Sequence, residues 1–282
     1  MREAVTIETR SSDASAAQPA TLAEAIGRAS DAVWRLQTPD GYWWAELQSN
    51  VTMTAEVMLL HYVWGTFDRV PRARAEKYFR EEQRAHGGWE LAYGDGGELS
   101  VSVEAYLALR MLGVGVHDPA LARARDFILA RGGITKARIF TKMHLALVGA
   151  YDWRGLPTLP PWLMLFPSGG PFSIYDLSSW ARGSTVPLMI VFDRRPVFGP
   201  IIALDELYTE TRANAPFSLP PGRTFVERAF NALDGVLAAA QRVGFVPFRR
   251  RGLRMAERWT VERQEATGDW GGIIPAMLNA ML

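Results

Sequence analysis

The sequence predicts an all-α fold, an α/α barrel in which helical hairpins close into a toroid, and three observations carry that prediction. Apolar residues recur at helical spacing from Thr21 onward, while the alternating patterns of strands are scarce. A short word, Gln-x3-Gly-x-Trp, occurs three times, each time closing a helical pattern: as Gln37, Gly41 and Trp43, as Gln83, Gly87 and Trp89, and as Gln264, Gly268 and Trp270. The first two copies are separated by about two helices plus their turns, so the repeating unit is a helical hairpin. Composition agrees, since 282 residues at 48% hydrophobic and 22% charged can bury a large core.

Along the chain, residues 1–20 are polar and lack the apolar stretch of a secretory signal, so they are expected to form a disordered tail ahead of one domain over 21–282. Thr21 and Glu24 have capping-box spacing, and Leu22, Ile26, Ala29 and Val33 fall on one helical stripe. Residues 51–64, 72–86 and 101–112 carry further helical patterns. Asp118-Pro119 supplies an N-cap and a first-turn proline for a helix stopped by Gly132-Gly133. Residues 148–170 and 196–221 are rich in Pro and Gly and read as long excursions between helices. Helices resume at 224–241, 253–264 and 275–282.

The repeated word reads as a structural staple at all nine of its residues. Glycine permits the turn after the helix, the Gln amide can bond free backbone groups at a neighbouring helix end, and the indole can stack over that amide.

Several functions are excluded or made improbable by composition. With 31 Lys+Arg against 30 Asp+Glu the net charge is +1, so no global field recruits nucleic acid. There is no cysteine, which removes disulfides and thiolate metal sites. The four histidines, His61, His86, His117 and His144, show no HExxH-like spacing, so no metal and no cofactor are expected. No apolar run is long enough to span a bilayer, but lying on one is allowed.

The Gln-Gly-Trp words resemble the QW motifs of class II terpene cyclases. Gly41-Tyr-Trp-Trp44, Ser49-Asn-Val-Thr-Met53, Val103-Glu-Ala-Tyr106, Ile174-Tyr-Asp-Leu-Ser-Ser-Trp-Ala-Arg182, Arg195-Pro-Val-Phe198 and Asp269-Trp-Gly-Gly-Ile273 narrow the resemblance to the N-terminal half of squalene–hopene cyclases. The resemblance implies a terpene cyclase/prenyltransferase-like barrel, squalene or another polyprene as substrate, hopanoid products formed by isomerisation, and no cofactor. It also implies a peripheral, monotopic position on the cytoplasmic side of the membrane. The family's alkene-protonating acid is the middle Asp of a DxDD motif, and no such word can be written here. No catalytic residue is therefore assigned, and a C-terminal half acting in cis or in trans is the expected partner.

The same resemblance places Trp180, Ile273 and Pro275 on the substrate cavity, where an aromatic face can stabilise a carbocation through its quadrupole. Glu56 and Glu104, each on an otherwise apolar helix, call for an inward partner such as Arg138, either as a structural ion pair or as a functional polar network. His144 stands where some relatives carry Trp and reads as a satisfied histidine. Phe230, Leu233, Val236 and Leu237 form an apolar stripe ahead of Phe245, Val246 and Phe248 and the cluster Arg249, Arg250, Arg251 and Arg254, which fits a membrane anchor. A helical-barrel carbohydrate enzyme using Asp95 and Glu98, and a non-catalytic lipid-binding fragment, are the competing readings.

Overall fold

Helix starts in this chain are set by side chains that accept from otherwise unpaired backbone N–H groups. In the computed structural model, which describes residues 21–43, 49–170 and 173–282, Thr21 and Glu24 form a reciprocal capping box at the start of α1 (Leu22–Arg35). The tail expected over residues 1–20 lies outside the described residues. The chain divides into two units, residues 1–48 and 49–282. In the first, α1 buries none of its residues, and Leu22, Ile26, Val33 and Trp34 are exposed.

The second unit contains α2 (Val51–Val63), α3 (Arg72–Glu82), α4 (Leu99–Met111), α5 (Pro119–Ala130), α6 (Ile139–Leu147), α7 (Ser179–Arg194), α8 (Phe225–Arg242), α9 (Arg249–Val261) and α10 (Ile274–Met281). Among the described residues there is no strand, only an isolated bridge between Gln37 and Trp43. The all-α class predicted from sequence is the one observed. Asn50 caps α2, Glu98 caps α4, Asp118 caps α5 with Pro119 in the first turn, and Thr224 with Glu227 repeats the capping box at α8.

Packing follows burial. Helix α4 buries almost its whole length and touches α2, α3, α5 and α6, while α2 meets α10, α10 meets α7 and α7 meets α9. Contacts thus run from α4 through α2 and α10 to α7 and on to α9, with α3 and α6 touching both α2 and α4. The main core surrounds α4 and contains Phe79, Trp89, Tyr106, Leu121 and Leu147, and a smaller one joins Met164, Ile174, Met189 and Trp259. Each such large side chain contributes about 1.5–3 kcal/mol on burial. Gly252 on α9 allows close packing, because a Cβ there would collide with the Pro161 carbonyl.

The sequence pattern assigns no helix to α6 or α7. Helix α6 is short and buried from Thr141 to Leu147, so it shows no amphipathic period. Helix α7 contains Gly183 and Pro187, residue types that disfavour a helix interior, yet it is held by burial of Val186, Leu188, Met189, Val191 and Phe192. Helix α9 begins at Arg249, ahead of the expected 253, and α3 ends at Glu82, ahead of 86, because Gln83 leaves the helix to begin its motif. Among the described residues, the expected excursions over 148–170 and 196–221 contain short 3₁₀ turns such as Pro161–Leu165 and Asp205–Leu207.

Candidate functional site

All three Gln-Gly-Trp words share one geometry. The Gln Nε2 donates to the carbonyl of its own glycine, from Gln37 to Gly41 at 2.7 Å, from Gln83 to Gly87 at 2.7 Å and from Gln264 to Gly268 at 3.0 Å. The indole Nε1 donates to a carbonyl near the end of the preceding helix, Trp43 to Val33, Trp89 to Phe79 and Trp270 to Thr260. The indole is thus a hydrogen-bond donor as well as a ring to stack.

Of the bonds expected of the staple, the one from the Gln amide to a neighbouring helix is seen in one copy among the described residues, at Gln83, which also donates to the Ala120 carbonyl at 2.8 Å on α5. There Gly87, at φ +91°, has no room for a Cβ, which would lie 2.6 Å from the Arg123 carbonyl oxygen. Gly268, by contrast, is exposed, and a Cβ built on it would meet nothing within 4 Å; Gly41 is the same. Gly268 serves its left-handed turn at φ +90° and the bond from Gln264. The physical reason is burial: Gln83 and Gly87 lie against α5, whereas Gln264 and Gly268 close their turn in solvent.

Helix α8 stands apart from the body. None of its residues is buried, and polar bonds tether it: Asp234 accepts from the Thr158 backbone N–H, Gln241 from Arg195, and Asn231 donates to the Pro220 carbonyl. Between α8, α7 and residues 157–166 lies a predominantly apolar cavity of about 630 Å³, lined among others by Leu163, Phe166, Leu177, Met189, Leu233 and Leu237. The expected apolar stripe of α8 therefore faces two ways, with Leu233 and Leu237 on the cavity and Val236 66% exposed. Phe245 and Phe248 are 67% and 70% exposed, whereas Val246 is half-buried. Leu177 and Thr185 went unnoticed in the sequence, although they flank Trp180 within the stretch and helix it belongs to.

Trp180 occupies the first turn of α7 and is 66% exposed. It lies about two and a half turns before Met189, hence on the side of α7 away from that cavity. Its own stripe includes Gly183 and Ser184, which meet α10: a Cβ on Gly183 would touch Ala276 at 3.7 Å, and Asn279 Nδ2 donates to the Ser184 carbonyl. That register puts Trp180, Ile273 and Pro275 at the same end of the α7–α10 pair, where all three are exposed.

Glu56, Glu104 and His144 project from α2, α4 and α6 to one point, with one ligating atom of each within 4.8 Å of the others. Glu104 accepts from the Thr141 hydroxyl, and its Oε1 lies 3.7 Å from His144 Nδ1. Glu56 Oε2, Glu104 Oε2 and His144 Nδ1 find no hydrogen-bond partner. Burial pushes the Glu56 carboxyl up to about 7, against the opposing pull of His144. For His144 burial acts downward, but the neighbouring carboxylates of Glu104 and Glu56 outweigh it and the net shift is upward. His144 is thus a core histidine paired with Glu104, on a helix the sequence pattern does not reveal. Arg138 is not the direct partner of Glu104: its guanidinium, half exposed, lies 3.8 Å from Glu98.

Three other charged positions are explained by structure alone. Arg249 makes three hydrogen bonds to Asp193, whose side chain is 1% exposed, so its charge is committed inward and not to a bilayer; Arg250 remains exposed. Asp95 accepts from the N–H groups of Leu91, Ala92 and Gly97, and Glu98 accepts from Val101 as the cap of α4. Both carboxylates offered for glycoside chemistry are engaged in holding backbone. Among the described residues no helix is long and apolar enough to cross a membrane.

Comparison with known proteins adds to this geometry. The family model of the squalene-hopene cyclase N-terminal domain matches residues 26–282. A dammaradiene synthase of Dryopteris crassirhizoma is 49% identical over 94% of this chain and 39% of its own length. A squalene–hopene cyclase of Alicyclobacillus acidocaldarius is 40% identical over 92% of this chain and 41% of its own. A squalene hopane cyclase of Aspergillus fumigatus is 34% identical over 90% of this chain and 35% of its own. The chain spans about two fifths of the length of these curated relatives.

Proposed function

The chain belongs to the squalene-hopene cyclase N-terminal domain family, and on that premise we propose that it is the lipid-admitting part of a triterpene cyclase acting on squalene. The observation that carries this reading is the apolar cavity of about 630 Å³ behind α8, a helix whose single apolar stripe lines the cavity in part and is exposed in part. A hydrocarbon leaving a bilayer loses least free energy if it passes from lipid directly into apolar walls, without crossing water. Helix α8 with Phe245 and Phe248 would lie on the cytoplasmic face of the membrane, and the cavity would receive the chain.

Cyclisation begins with protonation of an alkene, which requires a strong acid and a dry chamber. No two aspartates of this chain lie close enough to write a DxDD word, so the acid is assigned to a C-terminal half acting in cis or in trans. The exposed end formed by Trp180, Ile273 and Pro275 would then become chamber wall, with the indole face stabilising cationic carbon. The match to a dammaradiene synthase supports a second reading, in which the reaction is the same in kind but the triterpene skeleton differs.

Joining this chain to a C-terminal cyclase half bearing DxDD, or supplying that half in trans, and extracting products from squalene tests the proposal. Cyclised triterpene is expected with both halves and none with this chain alone, and the product skeleton decides between the two readings. In the active assembly, Leu177→Trp should lower kcat/KM while leaving the product pattern intact, whereas Trp180→Ala should raise the share of incompletely cyclised products. Product formation unchanged by both substitutions would remove these residues from the path.

A further inference from the structure

Helix α6 carries, on a face turned away from His144, an inference independent of the cyclase reading. We propose that Lys142 is a reversible carbon dioxide site, its side-chain amine taking up CO₂ as a carbamate. Only three of the 31 Lys+Arg side chains are lysines, Lys77, Lys136 and Lys142. Two of them lie at the surface, where Lys77 pairs with Glu81 at 3.6 Å and Lys136 is exposed. Lys142 is 5% exposed. An arginine keeps its charge in any surroundings, whereas a lysine can give up its proton when water is removed from it. The buried position in a chain otherwise dominated by arginine thus holds the one basic side chain that can become a nucleophile.

The surroundings of this amine lack an acid. Its Nζ stands over the Tyr151 ring, 5.7 Å from the centroid, and among the described residues no carboxylate pairs with it. Glu104 is held by Thr141 and His144, which share one face of α6, and Lys142 projects about 100° round the helix from Thr141. Asp152, next to Tyr151, is engaged with Arg154 at 2.7 Å. Burial pulls the Lys142 amine below the ordinary lysine range, and the positive charge of Lys136 pulls it the same way. Tyr151 itself is 2% exposed, and its hydroxyl has no hydrogen-bond partner. A buried cation without an acid and a buried hydroxyl without a partner are both costly. One carboxylate on Nζ answers both, because it attracts Lys136 where the ammonium repels it and offers the Tyr151 hydroxyl an acceptor. The reactant must be small and uncharged to reach a side chain so enclosed, as CO₂ is. The amine lone pair forms the N–C bond, one C=O π pair moves onto oxygen, and the nitrogen releases one proton to water.

The test equilibrates the whole chain with ¹³C-labelled bicarbonate near neutral pH. A carbamate carbon resonance is expected that Lys142→Arg, still folded by circular dichroism, does not show. Alkylation with a trialkyloxonium salt, which traps carbamates as stable esters, should place the label on the peptide carrying Lys142 and leave Lys77 unlabelled. Lys136→Met, at an exposed position, should lower the trapped fraction at Lys142 at least about three-fold, because it removes the charge that keeps the amine neutral and the carbamate paired. Tyr151→Phe keeps the ring, removes the unpaired hydroxyl and should lower that fraction as well. Absence of a trapped carbamate at Lys142 in the parent, trapping at Lys77 to the same extent, persistence of the resonance in Lys142→Arg, or a fraction unchanged by both Lys136→Met and Tyr151→Phe would each overturn the proposal.

Discussion

The Trp89 indole reaches back ten positions to donate a 2.8 Å hydrogen bond to the carbonyl of Phe79, and both residues are fully buried. Trp43 makes the same bond to Val33 at 2.7 Å while 46% exposed. Burial, not motif identity, should therefore set the worth of each copy. Trp89→Phe leaves the Phe79 carbonyl unpaired in the core and should cost about 2 kcal/mol, against less than about 1 kcal/mol for Trp43→Phe, where water replaces the donor. Urea unfolding of the two variants measures the difference, and equal losses would refute the role given to burial.

A comparable asymmetry governs Asp193 and Arg249. The carboxylate is buried and the guanidinium is about half exposed, so Arg249→Gln strands a buried charge at a cost of about 2–3 kcal/mol. Asp193→Asn, which leaves only a solvated cation behind, should cost less. Thermal midpoints of the two single variants decide the order.

Glu56 makes stability depend on pH. Its carboxyl is raised from an ordinary 4.5 to about 7, so between those values the folded chain binds more protons than the unfolded one and stability falls as pH rises. His144, also shifted upward, contributes stability that is complete below its unfolded pKa and is lost as pH rises through its folded one, so the two act in the same direction. The Glu56 shift corresponds to at most about 3 kcal/mol. Glu56→Gln should be more stable than the parent at pH 8 and should show a flatter midpoint–pH curve between pH 5 and 7. A parent whose stability rises across that interval would contradict the sign.

Much of the fold was legible because caps and turns are local. Thr21, Asp118 and Thr224 announce helix starts by their own side chains, and the Gln-Gly-Trp words mark three helix ends. What the words could not announce is which copy meets a neighbour: Gly87 and Gly268 are alike in sequence, yet one is pressed against Arg123 and the other faces open space. Helices α6 and α7 were hidden because a helix buried on most sides has no polar face to give it a period, and Pro187 is tolerated only because its surroundings are packed. The polar cluster was half legible. Glu56 and Glu104 stand out as charges on apolar helices, but their nearest companion is His144, while Arg138 acts on Glu56 from beside Glu98, since partner choice depends on how three helices meet. Arg249 likewise looked like its neighbours in sequence and is separated from them by the buried Asp193 fifty-six positions away.

The last prediction concerns which residues hold the chain to a bilayer. Phe245 and Phe248 are 67% and 70% exposed, and transfer of each ring into acyl chains contributes about 1.5–3 kcal/mol. Arg250, Arg251 and Arg254 are exposed beside them and add about 1 kcal/mol each near an anionic surface, a contribution that salt screens. Arg249 adds nothing of this kind because Asp193 holds it. Sedimentation with anionic vesicles should therefore show strong loss of binding for Phe245→Ser combined with Phe248→Ser at any ionic strength. Arg250→Gln with Arg251→Gln should weaken binding at low salt and matter little at high salt, and Arg249→Gln, assayed below its lowered midpoint, should bind as the parent does. If high salt alone releases the parent, the attachment is electrostatic, and the path from bilayer through α8 into the apolar cavity loses its starting point.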